Sequence, residues 1–172
     1  EIIDHPHEIK KYLLESLQIK ELYVKGVIKN ADLSKNQIDE LRKKRDELIY
    51  IANNTFKSAN KSIHIIDKGE AASLALSSIL GKNNFLVIDE RTTRMLCESP
   101  ENLRKLLEKK LHTKVTAVKE NYKYFSEFRI IRSTELAYIA YKKKLFRLKY
   151  PEALGAMLYG LKYKGCSISD RE

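Results

Sequence analysis

Two acidic positions nineteen residues apart, Glu70 and Asp89, each stand where an apolar run gives way to a helix start: Ile66-Asp67-Lys68-Gly69-Glu70-Ala71 and Phe85-Leu86-Val87-Ile88-Asp89-Glu90-Arg91. A carboxylate at the end of a buried strand, or in the first turn of a helix, is held on a rigid element and can face a crevice shared with its neighbours. α/β proteins gather metal ligands in this way. Hard divalent cations prefer such oxygens, and once bound they lower the pKa of a water and neutralise charge on a phosphoryl group under attack. Clustered carboxylates repel one another until the cation arrives, so raised pKa values are expected for this set. Arg91 and Arg94 follow Asp89 closely and can either grip a phosphate or pair with Glu90 or Glu98. The same acids have a plainer use: Asp67 with Glu70 spells a capping box, and Asp89 can serve as an ordinary N-cap.

The elements that must position these residues read as follows. Pro6 opens a helix over 6–17 with Ile9, Leu13, Leu14 and Leu17 on one face, and the run 20–28 reads as a strand whose end Gly26 weakens. Ser34 with Gln37 caps a helical segment over 34–60. A brief strand over 62–66 leads to Asp67, a helix runs to Gly81, and 85–88 is a continuous apolar strand of the kind buried on both faces. A β-α-β unit of this kind is right-handed, so strands 63–66 and 85–88 are expected to be parallel and to bring Asp67, Glu70 and Asp89 to one edge. Beyond them are predicted helices over 92–97 and 99–112, strands at 115–118 and 128–131, and a helical extension over 132–172, in which Pro151 opens the last helix and Gly165 closes it. The expected architecture is one α/β domain over 1–172, a three-layer α/β/α fold around a central, mainly parallel sheet.

With 172 residues, 43% hydrophobic and 33% charged, the chain is long enough to bury a core and is too apolar for a disordered one. Its formal charge of +10 favours a polyanionic partner and also suits simple solubility. Cys97 and Cys166 stand far apart, which argues against a disulfide framework or a zinc site and fits a reducing cytoplasm. No segment reads as membrane-spanning. His5 and His7 flank a proline, and His64 and His112 have no partner spacing, so surface histidines are expected. The tract from Tyr122, Tyr124, Phe125, Phe128 and Arg129 through Tyr138, Tyr141, Lys142-Lys143-Lys144, Arg147, Lys149 and Tyr150 is a second place for RNA contact. Core or a dimer seam is the preferred reading for Phe128, Tyr138 and Tyr141.

Gly69-Glu70-Ala71-Ala72-Ser73-Leu74, then Phe85 to Arg94, then Ser133 to Leu145 and the ending Gly165-Cys166-Ser167-Ile168-Ser169, resemble the PIN-domain nuclease superfamily, in particular its prokaryotic branch with a Gly-Glu-Ala helix start. The likeness spans roughly residues 63–170. It implies a metal-dependent ribonuclease holding Mg²⁺ or Mn²⁺, with Glu70 and Asp89 as ligands, Glu90 as the fallback if the register slips by one, and Glu1 as the acid expected on the second helix. It further implies a toxin paired with an antitoxin protein, and a homodimer. The chain departs from the family in having no strand ending in Asp ahead of Glu1, so that strand is expected upstream of this sequence. The rival reading is a non-catalytic RNA-binding or protein-interaction module on a degenerate PIN fold.

Overall fold

The first helix, α1, covers Leu13–Val24 behind a single 3-10 turn at Lys10–Tyr12, and it runs straight through the segment expected to be a strand over 20–28. Lys20-Glu21-Leu22 are good helix formers without period-two alternation, so the backbone continues helically until it meets Gly26. There φ turns to +69°, Gly26 N–H donates to the Tyr23 carbonyl and Val27 N–H to that of Leu22, each at 3.0 Å, a Schellman stop. The computed structural model describes residues 9–81, 83–146 and 148–166; Glu1, the start of the predicted 6–17 helix, Arg147 and the Ser167-Ile168-Ser169 ending lie outside the described residues. The chain forms two compact units, one through Asn36 and one from Gln37 onward.

α2, Lys35–Asn53, stops short of the expected residue 60 because two side chains turn back on its last carbonyls. Asn54 Nδ2 donates to the Tyr50 carbonyl at 2.9 Å and Thr55 Oγ1 to that of Ile51 at 2.7 Å. The chain then enters β1, Phe56–Ser58, and returns through β2, Lys61–Ser62. Their two-residue connection, Ala59-Asn60, has positive φ at both positions, the backbone that matches strand twist in a tight hairpin. β4, Val115–Ala117, pairs on the other side of β1, giving an antiparallel sheet in the order β2-β1-β4.

After β2 come α3 (Lys68–Leu80), β3 (Leu86–Val87), α4 (Arg91–Glu98) and α5 (Pro100–Leu111), the last with Pro100 in its first turn as its sequence requires. Beyond β4 and a 3-10 segment at Lys119–Tyr124 lie β5 (Ile130–Ile131), α6 (Ser133–Lys142) and α7 (Ala153–Tyr163). Leu48, Ala52, Phe56, Ile66, Leu74, Leu96, Leu103 and Phe125 form one buried cluster drawn from α2, β1, α3, α4, α5 and the intervening loops.

The three-layer fold with a central, mainly parallel sheet is therefore corrected: helices predominate, and the strands form one small antiparallel sheet and one two-stranded parallel sheet. The expected 63–66 strand is the element that fails. Residues 63–66 belong to no strand, and the backbone of 65 and 66 is taken by one side chain: Asn53 Oδ1 accepts from Ile65 N–H at 2.6 Å and Ile66 N–H at 3.1 Å, while Asn53 Nδ2 donates to the Ile66 carbonyl at 3.1 Å. An amide that supplies both donor and acceptor replaces a neighbouring strand. The partner of β3 is instead β5, parallel, with Leu86 opposite Ile130 and Val87 opposite Ile131. Nor is β3 buried on both faces, since Val87 is 54% exposed.

Candidate functional site

The parallel pairing of β3 with β5 decides where Asp89 goes. Continuing the register by two residues sets Asp89 beside Ser133, the first residue of α6. Its carboxylate accepts the Ser133 N–H at 2.8 Å on Oδ1 and the Ser133 hydroxyl at 2.6 Å on Oδ2. A third donor arrives from the far end of α7. Gly165, at φ +104°, closes that helix by donating to the Lys162 carbonyl at 3.1 Å, and Cys166 N–H reaches back to the Leu161 carbonyl at 3.0 Å. This second Schellman stop delivers the Cys166 thiol to Asp89 Oδ1, with sulfur 3.2 Å from oxygen. Asp89 is thus a cap supplied to α6 by a different strand, placed where a helix N-terminus favours negative charge.

Burial acts to raise the Asp89 pKa, but the Ser133 hydroxyl and amide, then the Cys166 thiol and the Arg132 charge, outweigh it and hold the carboxyl below its ordinary value. Glu90 behaves alike. It is the N-cap of α4, accepting from Thr92 N–H at 2.8 Å and Thr93 N–H at 2.5 Å, and these bonds overcome burial to lower its pKa as well. The raised carboxylate pKa values expected for a mutually repelling cluster are therefore corrected for Asp89 and Glu90: each faces N–H and O–H donors. Cys166 responds in the opposite sense, its thiol pushed up first by burial and then by the Asp89 carboxylate it serves.

Glu70 lies in the first turn of α3, where its carboxylate accepts the Asp67 N–H at 2.6 Å, the reciprocal bond of the predicted capping box. Asp67 itself faces outward and meets His64 Nε2 at 2.7 Å. Because residues 65–66 do not pair with β3, the shared strand edge expected to carry Asp67, Glu70 and Asp89 is not formed. Arg91 starts α4 on the surface. Arg94, by contrast, turns to Glu98 at 3.3 Å, the structural alternative weighed for it, with its Nε buried and unpaired. Among the described residues no group of three His, Cys, Asp or Glu side chains could hold a metal ion. Both oxygens of Asp89 and both of Glu90 accept hydrogen bonds from the protein.

The aromatic and basic tract divides in two. Phe128 is buried, in line with the core reading, and Phe125 is buried too; Tyr122 packs on Phe56 with ring centroids 6.1 Å apart while its hydroxyl donates to Glu101 at 3.4 Å, and burial and the Glu101 charge push that phenol to about 12. Tyr138, read as core or dimer seam, is not in the core: it is 48% exposed beneath Lys142 Nζ, 5.4 Å from its ring centroid. Its helix α6 packs on α7, and Thr134 and Ala137 are its buried residues. Tyr141 is half-buried and leans on Phe146 at 6.2 Å. Tyr138, Tyr150 and the described lysines between them are exposed to solvent.

Asn53 and Ser133 were invisible as site-organising residues, since nothing in a lone Asn or Ser names a distant partner. Cys166 carried a partial signal, because the position after a helix-closing glycine has a fixed place relative to that helix. No family model, curated protein or solved structure matches this chain.

Proposed function

We propose that this chain binds RNA without cleaving it, the second of the two functions that its sequence suggests. The observation that carries the proposal is the use made of the acids. Asp89 and Glu90 act as acceptors at the starts of α6 and α4, and Glu70 closes the first turn of α3, while the lysines lie mostly at the surface. Capped carboxylates with lowered pKa values serve folding, and a net +10 charge attracts a polyanion whether or not a metal is present. The proposal needs neither an antitoxin nor a second copy of the chain. Two free, buried thiols, Cys97 and Cys166, suit a reducing compartment such as the cytoplasm. Among the described residues no helix is long and apolar enough to cross a membrane.

The test is to incubate the full chain with labelled RNA in Mg²⁺, in Mn²⁺ and in EDTA, and to follow both retention and strand length. Equal retention in all three, with the RNA intact, is the expected result. Cleavage that requires the metal and disappears in Glu70→Gln and Asp89→Asn would replace this proposal with hydrolysis.

A further inference from the structure

We infer that the RNA strand enters at one defined place, a groove of about 790 Å³ between the end of α6 and the start of α7, and that the strand it takes is unpaired. This rests on the RNA-binding reading above and gives it a site and a substrate class. The groove is lined by Tyr141, Phe146, Leu148 and Tyr150 together with Lys142, Lys144 and Lys149. Its volume falls within the range of small-ligand sites, roughly 300–1,000 Å³. Tyr150 is 69% exposed, and the lysines are exposed too. The exposed Tyr150 ring and the half-buried Tyr141 and Phe146, with ammonium groups among them, match an unpaired strand: a base offers a face to stack, each phosphate a charge to neutralise. A duplex keeps its base faces stacked inside and offers only the charge.

The backbone supports the same place. α6 ends in a third Schellman stop, in which Lys144 N–H donates to the Tyr141 carbonyl and Leu145 N–H to the Ala140 carbonyl, each at 2.9 Å. At the other two stops the left-handed residue is glycine; here it is Lys144, at φ +55°. A side chain is kept where glycine would sit without strain, and that side chain lines the groove. A lipid surface also attracts lysines and aromatic rings, but it lies against a convex apolar helix face, whereas these rings line a recess.

The test uses anisotropy of a labelled, uridine-rich RNA of about 12 nucleotides, in EDTA, with the full chain. Tyr150→Ala is expected to weaken binding about 5- to 150-fold through lost stacking. Lys142→Gln with Lys149→Gln should weaken it and lower the slope of log K against log salt by about 1.4. Lys109→Gln with Lys110→Gln, an equal loss of charge at the end of α5, should change affinity less than about threefold. Lys144→Gly separates folding from binding, since it should raise the melting temperature while weakening RNA. If the wild-type chain binds no RNA, the broader reading falls. If it binds and the α5 pair costs as much as the groove pair, or Tyr150→Ala changes nothing, the groove is the wrong place while RNA binding stands. Equal affinity for a duplex of the same length would overturn the unpaired strand as substrate.

Discussion

Replacing Asp89 by Asn tests whether this acid serves the fold. The side chain keeps its shape but loses its charge, and one of its two acceptor oxygens becomes an amide NH2 donor facing the Ser133 donors or the Cys166 thiol. Hydrogen bonds to a charged acceptor contribute about 1.5–3 kcal/mol each when buried, and an acid at a helix start adds about 0.3–1 kcal/mol. Asp89 is only partly buried, so solvent screens both effects, and the net loss should be about 1–2 kcal/mol. In a chain of this size that is a fall of roughly 2–8 °C in melting temperature. Because the folded pKa lies below the ordinary aspartate value of 3.8, the contribution is fully present above that value and is lost as pH falls through the folded pKa. The gap between wild type and Asp89→Asn should therefore be constant near neutrality and close below about pH 4. Glu90 and Glu135 also have lowered pKa values, but they are common to both proteins and cancel from the difference. Urea midpoints from about pH 7 down to about pH 3 measure the gap. Equal midpoints at neutral pH, or a gap that widens in acid, would refute the assignment of Asp89 as the cap of α6.

Asn53→Ala should cost about 2–4 kcal/mol by leaving the amides of Ile65 and Ile66 without their acceptor, and native-state hydrogen exchange should show those two amides losing protection first. Lys144→Gly should stabilise the fold by about 1 kcal/mol in denaturant titration, because glycine meets no Cβ penalty at φ +55°. Ala59→Gly should stabilise the β1–β2 turn by about 0.5–1 kcal/mol for the same reason, φ being +46° there, and an unchanged urea midpoint would contradict the hairpin geometry.

Local signals in the sequence survived well, and long-range pairing did not. Helix starts at Lys68, Pro100 and Ser133, and stops at Gly81 and Gly165, depend on a few adjacent residues, so cap chemistry locates them closely. The strand expected at 20–28 went the other way because Tyr and Val tolerate helix, and only Gly26 ended it. The β-α-β unit failed for a reason that periodicity does not carry: Asn53 satisfied the backbone of 65–66 with a side chain, and β3 found its partner more than forty residues later in β5. The candidate acids fared unevenly. The capping box of Asp67 and Glu70 was legible because it is local, whereas the helix that Asp89 serves depended on what stood opposite, and that was Ser133 and Cys166. Of the rings read as core or dimer seam, Phe128 is in the core and Tyr138 is not, because helical spacing alone does not say which ring the fold covers.

The most direct measurement is the affinity of the full chain for an unstructured RNA in EDTA as a function of salt. Metal-independent binding that weakens linearly on a log–log plot, with the RNA recovered at full length, is the predicted result. No binding at low salt, or binding that appears only when Mg²⁺ or Mn²⁺ is restored, would contradict it.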